Sequence, residues 1–315
     1  MVSFSDIESA YKVLRPVVHK TPLLSSRTFN ENSGNEVYFK AENFQRIGAF
    51  KFRGAYNKIS SLTAEQRRAG VIAHSSGNHA QGVALACKLF GVKAIIVMPR
   101  DSVPLKVEAT RTYGAEIVFC GNTTDDRERT TNELIAKSGY TLVHPFNDEK
   151  LIAGQGTVAL EIFQDIKELD YLFVPIGGGG LIAGCSLAAK NLFPNVRVIG
   201  VETEGANDCY QSFRAKKIIK LKSVNTIADG MRTLSVGELN FEIILRYVDD
   251  VITIKDDDIL PMMKFFIERM KIVVEPTGAV APAAVMKNAS GLKGKKICAV
   301  ISGGNVDPEL LKRII

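Results

Sequence analysis

The sequence predicts an α/β fold built from two doubly wound domains with parallel sheets. From residue 70 onward, short apolar runs of strand length alternate with segments of helical periodicity. This rhythm is typical of parallel strands joined by right-handed helical crossovers. The 315 residues, 46% apolar and 23% charged, suit one large or two medium globular domains. We expect residues 69–146 to form a small domain, and residues 1–68 with 147–315 a large one.

The first 70 residues predict helices and one strand before that rhythm begins. An amphipathic helix over 3–14 ends before the break at His19-Lys20-Thr21-Pro22. Alternating residues over 36–43 indicate a strand, and a helix follows Lys51. The spacing of Thr63 and Gln66 is that of a capping box, which predicts a second short helix there.

The strands and helices that follow alternate without a long linker. The expected strands cover 71–75, 94–98, 115–120, 171–176, 196–202, 251–254 and 296–302. The expected helices cover 78–90, 103–113, 125–137, 153–166, 181–192 and 256–270, with one more after Pro276.

Composition and charge argue against several classes of protein. No apolar run approaches membrane-spanning length, and the N-terminus lacks the pattern of a signal peptide. The five cysteines lie far apart without a Cys-x-x-Cys pair, so we expect buried free thiols and a cytoplasmic location. The net charge of +6 includes a basic stretch at 214–222 without aromatic interleaving. We therefore expect neither nucleic acid nor membrane as a partner.

Lys51 begins the helix that follows the Gly48 turn, with Phe50 and Phe52 on either side. A lysine held among apolar neighbours loses solvation for its charged form, so its pKa falls. More of it is then the free amine that forms a Schiff base with an aldehyde. For an isolated Phe-Lys-Phe, a surface lysine lying over two rings is the commoner structure, but two glycine-rich segments shift the balance.

Four consecutive glycines at 177–180 follow an apolar strand and open a helix. Successive backbone N–H groups can converge there on one anion, and the helix N-terminus adds its positive end. The segment has the form of a phosphate cradle, although no Gly-Lys-Ser/Thr follows. Gly178, Gly180 and Ala183, with Glu202 ending the next strand, also partly match a dinucleotide fingerprint. An NAD-dependent dehydrogenase therefore stays open, as does a simple tight turn.

Polar residues follow two further predicted strands. The segment 74–81 joins a strand to a helix N-terminus, where its hydroxyls, amide and free N–H groups suit a carboxylate. Ser302-Gly303-Gly304-Asn305 follows the last strand. A hydroxyl there can hydrogen-bond a ring nitrogen, and the glycines let a flat ring approach. By itself, this segment reads as a turn.

Five motifs together resemble the fold-type II pyridoxal-phosphate enzymes, whose fold is tryptophan-synthase-β-like. The group most similar comprises serine racemase, threo-3-hydroxyaspartate ammonia-lyase and threonine/serine dehydratase. The resemblance covers nearly the full length, with the motifs in the family's order. They are Phe-Lys-Phe-Arg-Gly-Ala around Lys51, Ser-Ser-Gly-Asn-His at 75–79, Ala-Gly-Gln-Gly-Thr at 153–157, the four glycines with Leu181, and Ser-Gly-Gly-Asn-Val-Asp at 302–307.

The resemblance implies a cofactor site for pyridoxal 5'-phosphate in the large domain. Lys51 matches the lysine that forms the Schiff base and acts as the base on one face of the substrate. Asn78 matches the partner of the cofactor's phenolic oxygen, Phe50 a ring packed near the cofactor, and Ser302 the partner of its pyridine nitrogen. The phosphate loop corresponds to Gly177, Gly178, Gly179 and Gly180.

The small domain is implied to grip the substrate. The residues that would hold the substrate carboxylate are Ser75, Ser76, Asn78 and His79. Ser76 matches the acid/base of serine racemase on the opposite face, which racemisation needs. Arg127 and Thr233 match positions that contact substrate, and Arg127 could meet a second carboxylate, as in 3-hydroxyaspartate.

A divalent cation is implied at Glu202, the Ala206 carbonyl and Asp208. Oxygen ligands suit Mg²⁺, Ca²⁺ or Mn²⁺. Without the resemblance, a helix-capping pair is the preferred interpretation of the two carboxylates.

A homodimer with ATP as an effector is a further implication. The positions that match the nucleotide site of the animal racemases are Ser25, Ser26, Gln81, Tyr113 and Asn305. Arg46 and Ile47 depart from the usual Lys and Thr of that site, which puts nucleotide regulation in doubt.

The expected function is pyridoxal-phosphate-dependent elimination or racemisation of a small β-hydroxy amino acid such as L-serine, L-threonine or L-threo-3-hydroxyaspartate. The products are a keto acid and ammonia, or D-serine. Two alternatives stay open at this point. One is the NAD-dependent dehydrogenase that uses the Gly178 loop and Glu202, and the other is a non-catalytic relative with an intact fold.

Overall fold

Ten strands form two sheets in the computed structural model, which describes residues 2–75, 77–102, 104–288 and 291–315. In chain order the strands are β1 Leu23–Ser25, β2 Glu36–Ala41, β3 Val71–His74, β4 Ala94–Pro99, β5 Glu116–Cys120, β6 Thr141–Leu142, β7 Tyr171–Pro175, β8 Arg197–Thr203, β9 Asp250–Ile254 and β10 Lys296–Ile301. The larger sheet has the order β1-β2-β10-β7-β8-β9, and the smaller has the order β5-β4-β3-β6.

Fourteen α-helices of the described residues connect and cover these strands. They are α1 Phe4–Leu14, α2 Arg27–Ser33, α3 Lys51–Ser60, α4 Ala64–Ala69, α5 Asn78–Phe90, α6 Pro104–Thr112, α7 Thr124–Ser138, α8 Glu149–Asp165, α9 Gly180–Leu192, α10 Asp208–Ala215, α11 Glu238–Tyr247, α12 Ile259–Phe265, α13 Pro276–Met286 and α14 Pro308–Lys312. No helix within the described ranges combines the length and the hydrophobicity that crossing a membrane requires.

The larger sheet is buried on both faces, as its apolar strands predict. Successive side chains of a strand point to opposite faces. Cys298 and Val300 of β10 accordingly pack with α1, α8 and α9, whereas Ile297, Ala299 and Ile301 pack with α12 and α13. The two apolar clusters therefore pack against the two faces of the sheet and fix the register of its strands.

Parallel pairing brings the carboxyl ends of the strands to one edge of each sheet. In the larger sheet, β10 pairs in parallel with β2 and β7, and β8 pairs in parallel with β7 and β9. The glycine segment after β7, the carboxylate segment after β8 and the Ser302 segment after β10 therefore emerge at the same edge. Ligands of open α/β sheets bind at such edges.

The structure corrects several element predictions. The larger sheet is not wholly parallel, because β1 pairs antiparallel with β2 at its edge. The helix expected over 256–270 consists of a 3₁₀ turn, then α12, then a π-turn at Phe266–Met270. Helix α8 begins four residues earlier than expected because Asp148 caps its first N–H groups. The sequence prediction missed β1, β6, α2, α10, α11 and α14.

Candidate active site

Lys51 opens α3 immediately after a strained turn. Ile47 has φ +60°, which is rare for a β-branched residue, and Gly48 has φ +70°. The Ile47 side chain is buried, and its carbonyl accepts a hydrogen bond from Asn305 Nδ2 at 2.6 Å. Phe50 N–H donates to the Ser302 carbonyl at 3.1 Å. The turn thus ties the start of α3 to the segment that follows β10.

The Lys51 side chain is half-buried, and its amine contacts two neighbouring groups of the protein. Its Nζ donates to the Pro145 carbonyl at 2.7 Å and lies 5.2 Å from the centre of the Phe50 ring. Burial lowers the pKa of Lys51 from 10.5 to about 8. Phe52 does not flank the amine as expected, because it turns into the core against Tyr56. The Lys51 amine therefore loses solvation through burial and through the Phe50 ring alone, and not through two flanking rings.

Two of the four histidines of the sequence, His79 and His144, lie near this amine, and His74 lies next to His144. His144 Nδ1 accepts the Phe146 and Asn147 N–H groups at 3.2 and 2.9 Å, and the His74 ring stands edge-on to it. Burial, then His74 and Lys51, lowers the pKa of His144 to about 4. Burial, and then the Arg127 guanidinium, also lowers the pKa of His74. The cluster is therefore uncharged at neutral pH.

The four glycines form an open cradle between β7 and α9. A Cβ added to Gly178 would collide with the Phe146 ring, and one added to Gly177 would lie 2.6 Å from the Gly230 carbonyl. Gly179 has φ +90°, which favours glycine. Within the described residues, the N–H groups of Gly177, Gly178 and Gly179 donate to no protein acceptor. Buried N–H groups without partners at a helix N-terminus are suited to a phosphate.

Ser302 supplies a second unsatisfied group at the same edge. The residue is 1% exposed, and its Oγ has no hydrogen-bond partner among the described residues. A buried hydroxyl without a partner costs about 1–3 kcal/mol of folding free energy, so its retention here points to a ligand atom. A neutral hydroxyl suits the pyridine nitrogen of pyridoxal phosphate.

Asn78, at the start of α5, contacts two residues that are distant in the sequence, Glu275 and Asn305. Its Nδ2 donates to Glu275 Oε1, and its Oδ1 accepts from Asn305 Nδ2, both at 2.8 Å. Burial, and next the charge of Asp229, raises the pKa of Glu275 to about 8. These bonds fix which side of the Asn78 amide carries the oxygen.

Of the other predicted substrate residues, Ser75 and His79 lie where β3 leads into α5. Ser75 Oγ accepts the Gly77 N–H at 3.2 Å, and buried His79 donates Nε2–H to the Val143 carbonyl at 2.9 Å. Arg127 lies on α7 and interacts electrostatically with His74. Thr233 belongs to the loop after Met231, and its buried Oγ1 has no partner in the described chain. Ser76 lies outside the described residues.

The predicted cation ligands lie near the end of β8: Glu202 is within this strand, Ala206 follows it, and Asp208 begins α10. Glu202 and Asp208 are both fully buried, and Glu202 accepts the Cys209 and Tyr210 N–H groups at 3.2 and 2.7 Å. Neither Asp208 oxygen, nor Thr203 Oγ1, has a partner among the described residues. Burial, and then Asp208, raises the pKa of Glu202 well above normal, and burial raises that of Asp208 to about 7. The described residues hold no cluster of three metal-binding side chains, so a cation here would need backbone oxygens such as that of Ala206.

Two of the five residues of the predicted nucleotide site line a common surface pocket. Ser25 and Ser26 line a surface pocket of about 640 Å³ together with Leu24, Phe44 and Arg269. Gln81 is buried in α5, Tyr113 follows α6, and Asn305 bonds Ile47 and Asn78.

Sequence analysis missed several residues that the fold brings to this region. Glu275 contacts Asn78, Lys106 of α6 pairs with Asp229, and the Phe146 ring packs against Gly178. Asn240 contacts the glycine loop from α11. The His-Pro-Phe-Asn run directly after β6 could have been noticed as a polar and aromatic segment at a strand end, whereas Asn240 carries no local signal.

Together, the unpaired N–H groups of the cradle, the unpaired Ser302 hydroxyl and the amine of low pKa match the phosphate, ring nitrogen and aldehyde of pyridoxal phosphate. The dehydrogenase alternative is not supported. The Glu202 carboxylate that would bind a ribose is instead fully buried and accepts backbone N–H groups.

Known proteins match this chain over almost its whole length. It is 48% identical to the L-threo-3-hydroxyaspartate ammonia-lyase of Saccharomyces cerevisiae, over 97% of this chain and 94% of that protein. It is 44% identical to the L-threonine ammonia-lyase of Thermotoga maritima, over 100% of this chain and 78% of that protein. The structure of maize serine racemase superposes with a TM-score of 0.96 at 42% identity, covering 99% of this chain and 96% of that one.

These likenesses confirm the predicted α/β fold of type II and the predicted dependence on pyridoxal phosphate. The family model described as pyridoxal-phosphate dependent enzyme matches residues 14–303. The chain therefore belongs to the pyridoxal-phosphate dependent enzyme family.

Proposed function

We propose that this enzyme converts small β-hydroxy amino acids to keto acids and ammonia, with one water lost in the elimination and one taken up again on hydrolysis, and that it also racemises serine. The observation that carries the proposal is the half-buried Lys51 amine of low pKa, next to a phosphate cradle and an unpaired Ser302 hydroxyl. Similar proteins named for L-threo-3-hydroxyaspartate, L-threonine and serine support this substrate class. A non-catalytic relative has no observation in its favour.

The cofactor residues take the roles that their contacts permit. When bound, pyridoxal phosphate supplies an aldehyde that condenses with amines and a ring that takes up carbanion charge. Lys51 would provide the amine, Phe50 an apolar wall beside it, and Asn78 an amide N–H for the phenolic oxygen. Ser302 Oγ–H would donate to the ring nitrogen. The phosphate would lie on the N–H groups of Gly177, Gly178, Gly179 and Gly180.

The substrate would be held by the edge of the smaller sheet. We assign the substrate carboxylate to Ser75, Ser76, Asn78 and His79. Of these, Ser75, Asn78 and His79 stand at the N-terminus of α5, which favours a carboxylate. Arg127 and Thr233 would contact the remainder of the substrate, and Arg127 would meet the second carboxylate of hydroxyaspartate. We propose that residues 69–146 form a small domain that binds the substrate carboxylate. Residues 1–68 and 147–315 would form the large domain.

We propose that two side chains, Lys51 and Ser76, transfer protons in the reaction. The Lys51 amine removes the α-proton, and departure of the β-hydroxyl followed by hydrolysis yields keto acid and ammonia. Return of a proton to the opposite face yields the D-amino acid. We assign that proton to Ser76, because racemisation needs an acid on each face whereas elimination needs one base.

We also propose a divalent cation held by Glu202, Asp208 and the Ala206 carbonyl. Two adjacent buried carboxylates, one with both oxygens unpaired, repel each other unless a proton or a cation lies between them. Their all-oxygen ligand set suits Mg²⁺, Ca²⁺ or Mn²⁺.

A homodimer with ATP as effector completes the proposal. Phe44 and Val273, at 43% and 47% exposure, are large apolar side chains near the pocket that Ser25 and Ser26 line. We propose that these side chains contribute to the subunit contact. Gln81, Tyr113 and Asn305 would join that site. A cytoplasmic location stays a prediction from the sequence.

The test is product analysis with L-serine, L-threonine and L-threo-3-hydroxyaspartate, in the presence of pyridoxal phosphate and Mg²⁺. Keto acid, ammonia and D-amino acid are measured for each substrate. Strong preference for hydroxyaspartate would identify an ammonia-lyase in which Arg127 reads the second carboxylate. Comparable turnover of serine with D-serine formation would identify a racemase with side elimination. Absence of keto acid and D-amino acid from all three would refute the proposal.

A further inference from the structure

Asn240, on the first turn of α11, touches the glycine cradle without belonging to it. The residue is fully buried, and its Nδ2 donates to the Gly178 carbonyl at 2.6 Å and to the Phe146 carbonyl at 3.2 Å. Its Oδ1 has no partner among the described residues. The site thus uses both N–H bonds of one amide and leaves its acceptor idle, which identifies the donor half as the functional one.

The bond to Gly178 sets the direction of a neighbouring N–H group. A peptide unit is planar and trans, so an N–H points away from the carbonyl of the preceding residue. Asn240 Nδ2 and Gly237 N–H, the latter at 3.1 Å, both hold the Gly178 carbonyl toward α11. The N–H of Gly179 therefore points to the other side, into the cradle.

The bond to Phe146 secures the opposite wall of the cradle. The Phe146 ring lies against the Cα of Gly178, and a Cβ added to Gly180 would lie 3.1 Å from the Phe146 carbonyl. Asn147 Oδ1 also accepts the Leu239 N–H at 3.0 Å, so the 144–147 segment is bound to α11 at two points. One amide therefore joins the glycine loop to the segment packed against it.

We propose that Asn240 is a positioning residue for the phosphate of the cofactor. Its amide orients the peptide group between Gly178 and Gly179. It also fixes the distance between the glycine loop and the 144–147 segment. It touches neither substrate nor reacting atoms. The inference rests on the proposed role of Gly177–Gly180 as the phosphate loop.

The experiment compares two ligands that differ only in the phosphate. The full-length protein, freed of cofactor, is titrated with pyridoxal phosphate and separately with pyridoxal, and Schiff-base absorbance gives each Kd. Asn240→Leu keeps the size of the side chain but removes both donors. We expect its Kd for pyridoxal phosphate to rise at least about tenfold, since buried carbonyls lose their partners. The Kd for pyridoxal should change less than about twofold.

A matched control separates positioning from general loss of stability. Asn35 is also a buried asparagine whose Nδ2 donates to two carbonyls, those of Ser33 and Leu292 at 2.9 and 3.3 Å. Asn35→Leu should lower the melting temperature without changing the ratio of the two Kd values. If Asn240→Leu does not fold, Asn240→Ser, which keeps one shorter donor, is measured in the same way.

Equal weakening of both ligands in the Asn240 variants, or no weakening of either, would overturn the inference. Failure of the wild-type protein to prefer pyridoxal phosphate over pyridoxal would instead refute the glycine cradle itself. The two failures are therefore distinguishable.

Discussion

At Lys51, burial has a direct chemical consequence because only the unprotonated amine attacks an aldehyde. The amine lies against the Phe50 ring and the Pro145 carbonyl, and its pKa falls to about 8. The nearby His144 has its pKa lowered to about 4 and adds no charge at neutral pH. The site therefore keeps a usable fraction of free amine under ordinary conditions.

This pKa predicts how the cofactor-free enzyme takes up pyridoxal phosphate. Below pH 8 Lys51 is mostly ammonium, and above it the free amine dominates, so the rate of Schiff-base formation should rise with pH to a plateau with a midpoint of about 8. Stopped-flow absorbance from pH 6 to pH 10 measures the rate. Lys58→Ala, on the same helix, serves as control. A rate still rising in proportion to hydroxide at pH 10 would show a lysine of ordinary pKa.

At Ser76 the prediction concerns the ratio of two reactions. Ser76→Ala should lose racemisation, because no acid remains for the second face, while much of the elimination of L-substrates survives. Keto acid and D-serine are measured from L-serine in one reaction mixture, with Ser60→Ala as a hydroxyl control far from the chemistry. Equal loss of both products would contradict the assignment of two faces.

Among the elements, α3 is held in place by buried charges. Arg53 pairs with Glu42 and with Glu161, both at 2.8 Å, and Lys40 also pairs with Glu161 at 2.6 Å. All four side chains are essentially inaccessible to solvent. The two positive charges balance the two negative ones. Because Arg53 lies two residues after Lys51, these ion pairs connect the start of α3 to β2 and α8. Sequence alone identified Arg53 as part of a motif without revealing this role.

Breaking this network should be costly. Arg53→Met would leave two buried carboxylates partly uncompensated, so we expect a loss of about 3–5 kcal/mol in the free energy of unfolding. Lys20→Met, which removes a surface pair with Asp165, should cost less than about 1 kcal/mol. Urea denaturation compares the two variants with the wild type. Similar losses for both would show that the buried network does not anchor α3.

The segment after β8 carries the prediction about the cation. Mg²⁺ should raise the melting temperature, and EDTA should reverse the effect, because the cation relieves the repulsion between Glu202 and Asp208. Asp208→Asn should abolish the response to Mg²⁺, whereas Asp165→Asn at the surface should keep it. An unchanged melting temperature in EDTA, with no bound metal by elemental analysis, would remove the cation from the proposal.

For the whole molecule, the β-α-β rhythm of the sequence was sufficient to predict two α/β sheets. The motifs after β3, β7 and β10 were recognised together through the family resemblance; β7 and β10 end at one edge of the larger sheet, and β3 belongs to the smaller sheet. Contacts between distant segments could not be predicted. Neither the Asn78–Glu275 bond nor the Lys106–Asp229 pair leaves a local pattern. Strand β1 was missed because three residues are too few for a periodicity to show.

The most direct test of the account compares wild type with Lys51→Ala, each incubated with pyridoxal phosphate and L-threo-3-hydroxyaspartate, L-threonine or L-serine. Absorbance of the lysine-bound cofactor and keto acid release are followed together. We predict that wild type shows the band and forms keto acid with at least one substrate, and that Lys51→Ala shows neither. Keto acid formation at the wild-type rate by Lys51→Ala would contradict the central role of this lysine.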